Sequence, residues 1–274
     1  MIAAQPNRQA SRMPEPDLIL ATDLDGTFLG GSERDRADLY GWIEEHRAQI
    51  GLIFVTGRDL PFIEGLCADG FVPWPDHVVG DVGTTIASVD RAKRAIRPNP
   101  ALEHDIRALW GERFAEIKER LETAPGLSPQ TGPFRYRMSY HYDPRDFDPE
   151  IVSVVEGAGF DCLISDDRFL DVLPKGVSKG PSLLRLLDAI EADHDRVLVA
   201  GDTMNDLSLF ETGLLGVAVG NSEPPLVERV QGRLNVHHAS GHGAAGIREA
   251  IDRFGFFDPE RLRLARMMEG SDEE

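Results

Sequence analysis

Residues 18–27 read Leu-Ile-Leu-Ala-Thr-Asp-Leu-Asp-Gly-Thr, the most informative stretch of the chain. Its first half, Leu18–Thr22, is apolar and predicts a buried strand. Two carboxylates, Asp23 and Asp25, follow at positions i and i+2, and Gly26 allows the chain to turn sharply after them. Because ligands of open α/β sheets bind at the carboxyl ends of the strands, the stretch also predicts where a site lies.

Short apolar runs alternate with amphipathic helical stretches on both sides of this segment. Further strands are predicted at residues 51–55, 77–82, 197–200 and 216–219, and helices at 34–49, around Pro61, and at 182–192, 206–211 and 225–230. Apolar strands separated by helices of this length predict an α/β fold with a doubly wound parallel sheet. We assign residues 17–99 and 175–257 to this core domain.

The middle of the chain has a different pattern and predicts a second, smaller α+β domain at residues 100–174, inserted into the first. One long amphipathic helix is marked by Leu102, Ile106, Leu109, Ile117 and Leu121. Residues 134–142 alternate like a strand with one solvated face. A helix at residues 149–157 and short strands near Cys162 and at residues 170–173 complete this domain.

The composition is typical of a globular protein with a strongly acidic surface. Of the 274 residues, 41% are hydrophobic and 28% are charged, and the net charge is −18. Such a surface repels nucleic-acid backbones and anionic membranes, so we expect neither as a partner. No apolar run is long enough to span a membrane. Residues 1–16 lack a signal peptide's apolar segment, and we expect a disordered arm there and an extension with an acidic tail at residues 258–274.

The two cysteines, Cys67 and Cys162, are far apart in the sequence. They have neither the spacing of a zinc site nor that of a disulfide framework, and we interpret both as small buried side chains. Two cysteines also fit a reducing compartment, so we expect a cytoplasmic protein. We expect a monomer or a small homo-oligomer.

The paired carboxylates after the first strand predict phosphoryl chemistry. One of them can attack a phosphorus atom, and the other can protonate the leaving oxygen and later activate water. Two close carboxylates also attract a hard divalent cation. Directly after the strand at 51–55 comes TGR at residues 56–58, whose hydroxyl and backbone N–H groups suit phosphate oxygens.

Two more polar motifs follow later in the chain. The motif SKG at residues 178–180 leads into a helix, and Lys179 can offset the charge on a transferring phosphoryl group. The motif GDTMND at residues 201–206 follows a strand, so that Asp202 and Asp206 can face one metal ion. Each motif alone is also typical of a loop, a solvated lysine or a capped helix start. Their joint occurrence at strand ends and a crossover entry favours a functional site.

The four motifs, in this order, resemble those of the haloacid dehalogenase-like hydrolases. The resemblance implies that Asp23 is the nucleophile and that Asp25 is the general acid and base. It also implies a Mg²⁺ ion held by Asp23, the backbone carbonyl of Asp25, Asp202 and Asp206. The long insertion between the second and third motifs looks like a class II cap of the B subtype, and we call the smaller domain the cap.

Seven residues are expected to contact the substrate, five from the motifs and two from the cap strand. They are Thr56, Gly57, Arg58, Lys179, Asn205, Ser139 and His141. The implied reaction has two steps: Asp23 attacks to give an aspartyl-phosphate, and water that Asp25 deprotonates then hydrolyses it. For the two cap residues, contact with a sugar is the hypothesis, and an exposed sheet face is the alternative.

Several shorter stretches resemble the sucrose-phosphate phosphatase group. They are DVGT at 81–84, MSYH at 138–141, DVLP at 171–174, GN at 220–221 and the predicted last helix at 244–254. The resemblance covers roughly residues 17–257 and implies a disaccharide phosphate as substrate, such as sucrose 6-phosphate or mannosylfructose phosphate. Relatives that hydrolyse sucrose phosphate commonly have Glu where this chain has Thr85, so a related disaccharide phosphate is an equal expectation.

Three other functions stay open at this point. A hexose phosphomutase shares this cap class and would move phosphate instead of releasing it. A nicotinamide-dependent oxidoreductase would use GHGAAG at residues 241–246, although no second strand with an acidic residue follows. The third is a non-catalytic acidic binding protein, against which the retained like charges argue. The basic residues 91–97 predict a solvated hairpin. No Cys or carboxylate stands at zinc-site spacing from His237, His238 and His242, so we interpret them as loop histidines near the mouth of the site.

Overall fold

The computed structural model describes residues 16–111, 114–165 and 167–258. The predicted arm and the predicted tail therefore lie outside the described residues, apart from residues 16 and 258. Within these ranges, no helix combines the length and the hydropathy that a membrane crossing requires.

The described residues form twelve strands and nine α-helices. The strands are β1 (Leu18–Thr22), β2 (Ile50–Val55), β3 (His77–Gly80), β4 (Thr85–Asp90), β5 (Ala95–Pro98), β6 (Leu127–Pro129), β7 (Met138–Tyr142), β8 (Phe160–Ser165), β9 (Phe169–Pro174), β10 (Val197–Gly201), β11 (Leu215–Ala218) and β12 (Val236–His238). The helices are α1 (Glu33–Glu45), α2 (Leu60–Ala68), α3 (His104–Trp110), α4 (Phe114–Glu122), α5 (Glu150–Gly157), α6 (Lys179–Ala189), α7 (Leu207–Phe210), α8 (Pro224–Val230) and α9 (Ala244–Phe254).

The larger sheet has eight strands in the order β12-β11-β10-β1-β2-β3-β4-β5. Strand β1 lies at its centre and pairs in parallel with β2 and β10. Because side chains alternate between the two faces of a strand, Leu18 and Leu20 enter one apolar core, and Ile19 and Ala21 enter the other. Both faces are covered, which confirms the predicted α/β fold with a doubly wound sheet.

One edge of this sheet departs from the predicted parallel arrangement. Strand β4 pairs antiparallel with β3, and β5 pairs antiparallel with β4. The connections around β4 are too short for a crossover, which takes a dozen residues or more, so these strands form hairpins. The basic residues 91–97 contribute the turn and most of β5, which confirms the predicted hairpin.

The smaller sheet has the order β6-β7-β9-β8 and is antiparallel. Helices α4 and α5 pack on it through an apolar cluster that contains Phe114, Ile117, Tyr140 and Val172. The prediction of one long helix in this region is wrong. Helix α3 ends at Trp110, and Gly111, with φ 45° and ψ −152°, takes a conformation that ends a helix.

Several other elements differ from the predictions: α1 ends at Glu45 where the prediction extends to residue 49, and α6 spans Lys179–Ala189 where residues 182–192 are predicted. The strand predicted at 134–142 begins only at Met138, and β6 lies in a stretch predicted as loop. The strand predicted at 77–82 ends at Gly80, because Asp81 and Val82 have positive φ values. The helix predicted at 206–211 begins as a 3-10 turn at Met204–Asp206 and continues as α7.

The two cysteines are free thiols. Cys67 is buried in a core of the larger sheet, and Cys162 is partly buried in the smaller one. Burial raises the pKa of both thiols to about 12, so neither is a reactive thiolate near neutral pH.

Candidate functional site

The first, second and fourth motifs follow three neighbouring strands. Asp23 follows β1, Thr56 follows β2, and Asp202 follows β10. Lys179 is the first residue of α6, which packs against the same sheet. Parallel strands end at one edge of a sheet, so the topology brings the motifs together there.

Three buried carboxylates meet at this edge. Asp23, Asp202 and Asp206 each offer a carboxylate oxygen, and these oxygens lie within 4.8 Å of one another. The three residues are 5%, 6% and 0% exposed. Buried like charges at this separation repel each other, so the cluster requires positive charge.

Lys179 supplies one positive charge inside the cluster. Its Nζ donates hydrogen bonds to Asp23 Oδ1 (2.7 Å), Asn205 Oδ1 (2.6 Å) and Asp206 Oδ1 (2.6 Å). Complete burial lowers the pKa of Lys179, but the carboxylates of Asp206 and Asp23 outweigh that effect, and the net pKa is raised. The ammonium group therefore stays charged and holds the Asp23 carboxylate in place.

One lysine does not balance three carboxylates. Burial raises the pKa of Asp23 well above its usual value, and the charges of Asp206 and Asp202 add to this effect against Lys179. Burial, followed by the charge of Asp206, raises the pKa of Asp202 to about 7. The donor set consists of oxygens and carries excess negative charge. It therefore fits a hard divalent cation.

The two acids of the fourth motif have different partners. Asp206 Oδ2 accepts hydrogen bonds from the backbone N–H groups of Asp202 (3.0 Å) and Thr203 (3.1 Å) and so closes the loop. Asp202 Oδ1 accepts a hydrogen bond from Thr27 Oγ1 at 2.7 Å. A Cβ atom on Gly26, which has φ +79°, would lie 2.1 Å from Asp202 Oδ2. Only a glycine lets the first motif approach the fourth this closely.

Asp25 lies outside the buried cluster and pairs with Arg58. Its two oxygens accept hydrogen bonds from Arg58 Nε (2.7 Å) and Nη2 (2.8 Å), and both side chains are about half exposed. The Arg58 guanidinium lies 4.4 Å from the centroid of the Phe62 ring. The second motif is thus joined to the first through Asp25. Thr56 is fully buried and accepts a hydrogen bond from the Arg58 backbone N–H.

The two predicted cap residues are in different environments. Ser139 is buried, and its hydroxyl donates a hydrogen bond to Asp171 of β9. His141 is exposed, and its ring centroid lies 6.0 Å from that of Phe169. In this structure the Ser139 hydroxyl is thus engaged within the smaller sheet.

Asn221 is a structural link in the site that the sequence motifs did not predict. Its Nδ2 donates to the carbonyl of Gly26 (2.9 Å), and its Oδ1 accepts from the N–H of Gly243 (2.8 Å). It therefore ties the turn of the first motif to the glycine-rich loop before α9. Residues 220–221 lie just after the end of β11, and this position at a strand end could have indicated a role in the site.

The glycine-rich loop at residues 241–246 is occupied by the protein's own groups. The N–H groups of Ser240 and Gly241 donate to the carboxylate of Glu249, and His237 Nε2 lies 2.7 Å from Glu249 Oε1. Burial raises the pKa of Glu249, but these hydrogen bonds outweigh it and bring the pKa to about 2. The donors that would bind a dinucleotide pyrophosphate at the start of the loop are thus already used.

Comparisons with known proteins agree with the geometry. A family described as sucrose-6F-phosphate phosphohydrolase matches residues 16–255. The chain is 43% identical over 248 residues to the glucosylglycerol-phosphate synthase of Pseudomonas anguilliseptica, covering 89% of this chain and 32% of that protein. It is 29% identical over 251 residues to the mannosylfructose-phosphate phosphatase of Agrobacterium fabrum, covering 88% of this chain and 98% of that protein.

The fold is also shared with a solved structure. The sucrose-phosphatase from Synechocystis sp. PCC6803, in complex with sucrose and phosphate, has a TM-score of 0.78 at 24% identity, covering 87% of this chain and 98% of that one. The chain spans about a third of the length of the synthase and nearly all of the length of the other two proteins. Because the family match extends over most of its residues, the chain belongs to the sucrose-6F-phosphate phosphohydrolase family of haloacid dehalogenase-like hydrolases.

Proposed function

We propose that the chain is a Mg²⁺-dependent phosphatase that hydrolyses a phosphorylated sugar through an aspartyl-phosphate on Asp23. The observation that carries the proposal is the buried ammonium of Lys179, which contacts Asp23 and Asp206 at one strand end. A fixed positive charge beside a buried carboxylate suits a nucleophile that attacks an anionic phosphoryl group. We propose residues 17–99 and 175–257 as the catalytic core and residues 100–174 as the cap.

The carboxylates of Asp23, Asp202 and Asp206, with the backbone carbonyl of Asp25, would hold the Mg²⁺ ion. When bound, the ion would supply positive charge against the phosphoryl oxygens and would keep the buried carboxylates ionised. Lys179 supplies the second positive charge.

Side chains of the site carry out the bond changes and proton transfers of the reaction. Asp23 forms a bond to phosphorus, and the bond from phosphorus to the sugar oxygen breaks. Asp25 gives a proton to that oxygen. It later takes a proton from a water molecule whose oxygen bonds to phosphorus, while the bond from Asp23 to phosphorus breaks and phosphate leaves. Arg58 donates hydrogen bonds to both oxygens of Asp25, so these bonds break before Asp25 reaches the leaving group. Thr56, Gly57 and Asn205 then contact the phosphoryl oxygens.

The proposed substrate is a disaccharide phosphate such as sucrose 6-phosphate or mannosylfructose phosphate. The similarity to two phosphatases along almost their full lengths supports this choice. A second candidate is glucosylglycerol phosphate, which the relative at 43% identity favours through its name. We further propose a cytoplasmic monomer or small homo-oligomer without nucleic-acid or membrane partners.

Release of free phosphate from a panel of mono- and disaccharide phosphates and glucosylglycerol phosphate, with and without Mg²⁺, tests the proposal. We expect Mg²⁺-dependent release from one glycoside phosphate, and a loss of more than about a thousandfold in Asp23→Asn. The matched control is Asp38→Asn, since the Asp38 side chain is 73% exposed on α1. Near wild-type release by the Asp23 variant would contradict the mechanism. Phosphate transfer that needs a bisphosphate activator would instead identify a hexose phosphomutase.

A further inference from the structure

A strained turn follows β3 on the cap side of the site. We call Asp81–Gly83 the β3 turn; its three residues are buried. Asp81 and Val82 have φ values of 52° and 57°, a left-handed conformation that is costly for a β-branched residue. Such a conformation persists where the surrounding contacts determine it.

The β3 turn contacts the second and third motifs. The N–H of its first residue donates to the carbonyl of Arg58 (3.0 Å), and the N–H of its second donates to the carbonyl of Thr56 (3.1 Å). A Cβ atom on its glycine would lie 2.3 Å from the carbonyl carbon of Ser178. The shape of the turn is therefore linked to the positions of both motifs.

Arg137, which directly precedes β7 of the smaller sheet, reaches across to the β3 turn. Its Nη2 donates to the carbonyl of Gly57 (2.9 Å) and lies 3.3 Å from Asp81 Oδ1. Its Nη1 donates to Asp171 Oδ1 (3.0 Å) on β9. The guanidinium carbon lies 4.4 Å from the centroid of the Phe134 ring. One side chain thus bonds to the loops that follow β2 and β3 of the larger sheet and to β9 of the smaller sheet.

The contacts of Arg137 with Asp81 and Asp171 are buried, so their energy depends strongly on the position of the cap. The side chains of Arg137, Asp81 and Asp171 are 8%, 6% and 9% exposed. Burial raises the pKa of Asp81, and the charge of Arg137 opposes that effect. Removal of one member of a buried ion pair leaves an uncompensated charge, so separating the two sheets here is costly.

We propose that Arg137 is a positioning residue that couples the seating of the cap sheet to the second motif, through Gly57 and the β3 turn. A cap that moves away takes Arg137 with Asp171 and releases the Gly57 carbonyl and Asp81. The catalytic consequence rests on the proposed phosphatase function. The coupling is a property of the fold and is measured separately.

The test compares Arg137→Met and Arg137→Lys with Arg185→Met. Arg185 of α6 donates to the carbonyl of Leu102 (3.1 Å) and lies 3.9 Å from Asp105. The control therefore removes another arginine that joins the core to the chain entering the smaller sheet, at a place distant in sequence from the β3 turn. Lysine at position 137 keeps the charge but lacks the fork that reaches both partners.

Two quantities are measured on the full chain: amide hydrogen exchange of Asp81 and Val82 relative to amides of β1, and the kinetics of phosphate release. In Arg137→Met we expect at least about tenfold faster exchange in the turn and a kcat about ten- to hundredfold lower, with a smaller change in KM. Arg137→Lys should recover part of both effects, and Arg185→Met should match the wild type in both.

Equal exchange and equal kcat in folded Arg137→Met and Arg185→Met would overturn the coupling. If the wild type releases no phosphate from any ester, the proposed function fails, and the exchange rates alone decide the coupling. If Arg137→Met does not fold, Arg137→Lys is compared with Arg185→Lys. Unchanged exchange at Asp81 and Val82 in that pair overturns the coupling, and faster exchange in the Arg137 variant supports it.

Discussion

Replacement of Asp202 by Asn should stabilise the cation-free protein and remove its stabilisation by Mg²⁺. Asp202 is 6% exposed, and burial followed by the charge of Asp206 raises its pKa from 3.8 to about 7. An acid with a raised pKa in the folded state favours folding when protonated. Its contribution is complete below pH 3.8 and is lost as the pH rises through about 7.

The magnitude follows from the size of this shift. Each pKa unit corresponds to about 1.4 kcal/mol, so the ionised Asp202 lowers the free energy of unfolding by roughly 4 kcal/mol at pH 8. Asparagine carries no charge, and its carbonyl oxygen accepts the hydrogen bond from Thr27 Oγ1 that Asp202 Oδ1 accepts at 2.7 Å. Part of this cost is repulsion that the neighbouring acids share with Asp202. We therefore expect the free energy of unfolding to be about 1 to 4 kcal/mol higher in Asp202→Asn at pH 8, and the difference to shrink towards pH 4.

Urea unfolding of both proteins, followed by circular dichroism in chelator and in Mg²⁺, measures these free energies. At a hundredfold excess of Mg²⁺ over its Kd the wild type should gain about 2.7 kcal/mol, and the variant should gain little. Asp38→Asn, at an exposed position on α1, should stay within about 0.5 kcal/mol of the wild type. The reasoning is refuted if Asp202→Asn is the less stable protein in chelator at pH 8, or if Mg²⁺ stabilises both proteins equally.

Three further substitutions test other parts of the structure. Lys179→Met should lower the free energy of unfolding by about 3 to 5 kcal/mol in chelator, because the buried Asp23 loses its cation; urea unfolding at pH 8 measures this, and an unchanged midpoint would contradict it. Gly26→Ala should stay folded and lose most Mg²⁺-dependent phosphate release, since the new Cβ collides with Asp202; a phosphate assay showing full release would be the opposite result. Tyr140→Phe should change the free energy of unfolding by less than about 0.5 kcal/mol or raise it, because the buried hydroxyl has no hydrogen-bond partner among the described residues, and thermal melting that shows clear destabilisation would count against this.

The convergence of Asp23, Lys179, Asp202 and Asp206 was readable from the sequence. Strand periodicity places two of these residues at strand ends. Since ligands bind at the carboxyl edge of such a sheet, the motifs are expected to meet there. The core strands around β1 were predicted for the same reason, since parallel strands buried on both faces are continuous apolar runs.

The helix break at Gly111 was not readable, and the reason is physical. Ile106 packs into a core of the larger sheet, whereas Ile117 packs into the core of the smaller one. Their spacing continues one helical stripe, although the two residues face different cores. Periodicity reports that a residue is buried and does not report which core buries it.

Partners that are distant in sequence were also beyond prediction. The fork from Arg58 to Asp25 joins residues 33 positions apart, and the bond from Arg137 to Gly57 joins residues 80 positions apart. The alternation at residues 134–142 predicted one solvated face and offered Ser139 for sugar contact. In the structure that hydroxyl is buried and donates to Asp171, because the neighbouring strand β9 supplies a carboxylate.

The central position of β1 has a consequence for synthesis on the ribosome. Thr27 and Asp202 are bonded although they are 175 residues apart, and β10 pairs with β1 just before them. At ribosomal rates this interval lasts roughly 10 to 35 seconds, during which one edge of an apolar strand has no neighbour. An unpaired apolar edge is a template for association with other chains. We therefore expect the β10 side of β1 to be open to association with other chains until β10 emerges, and the acidic pocket to form only after that.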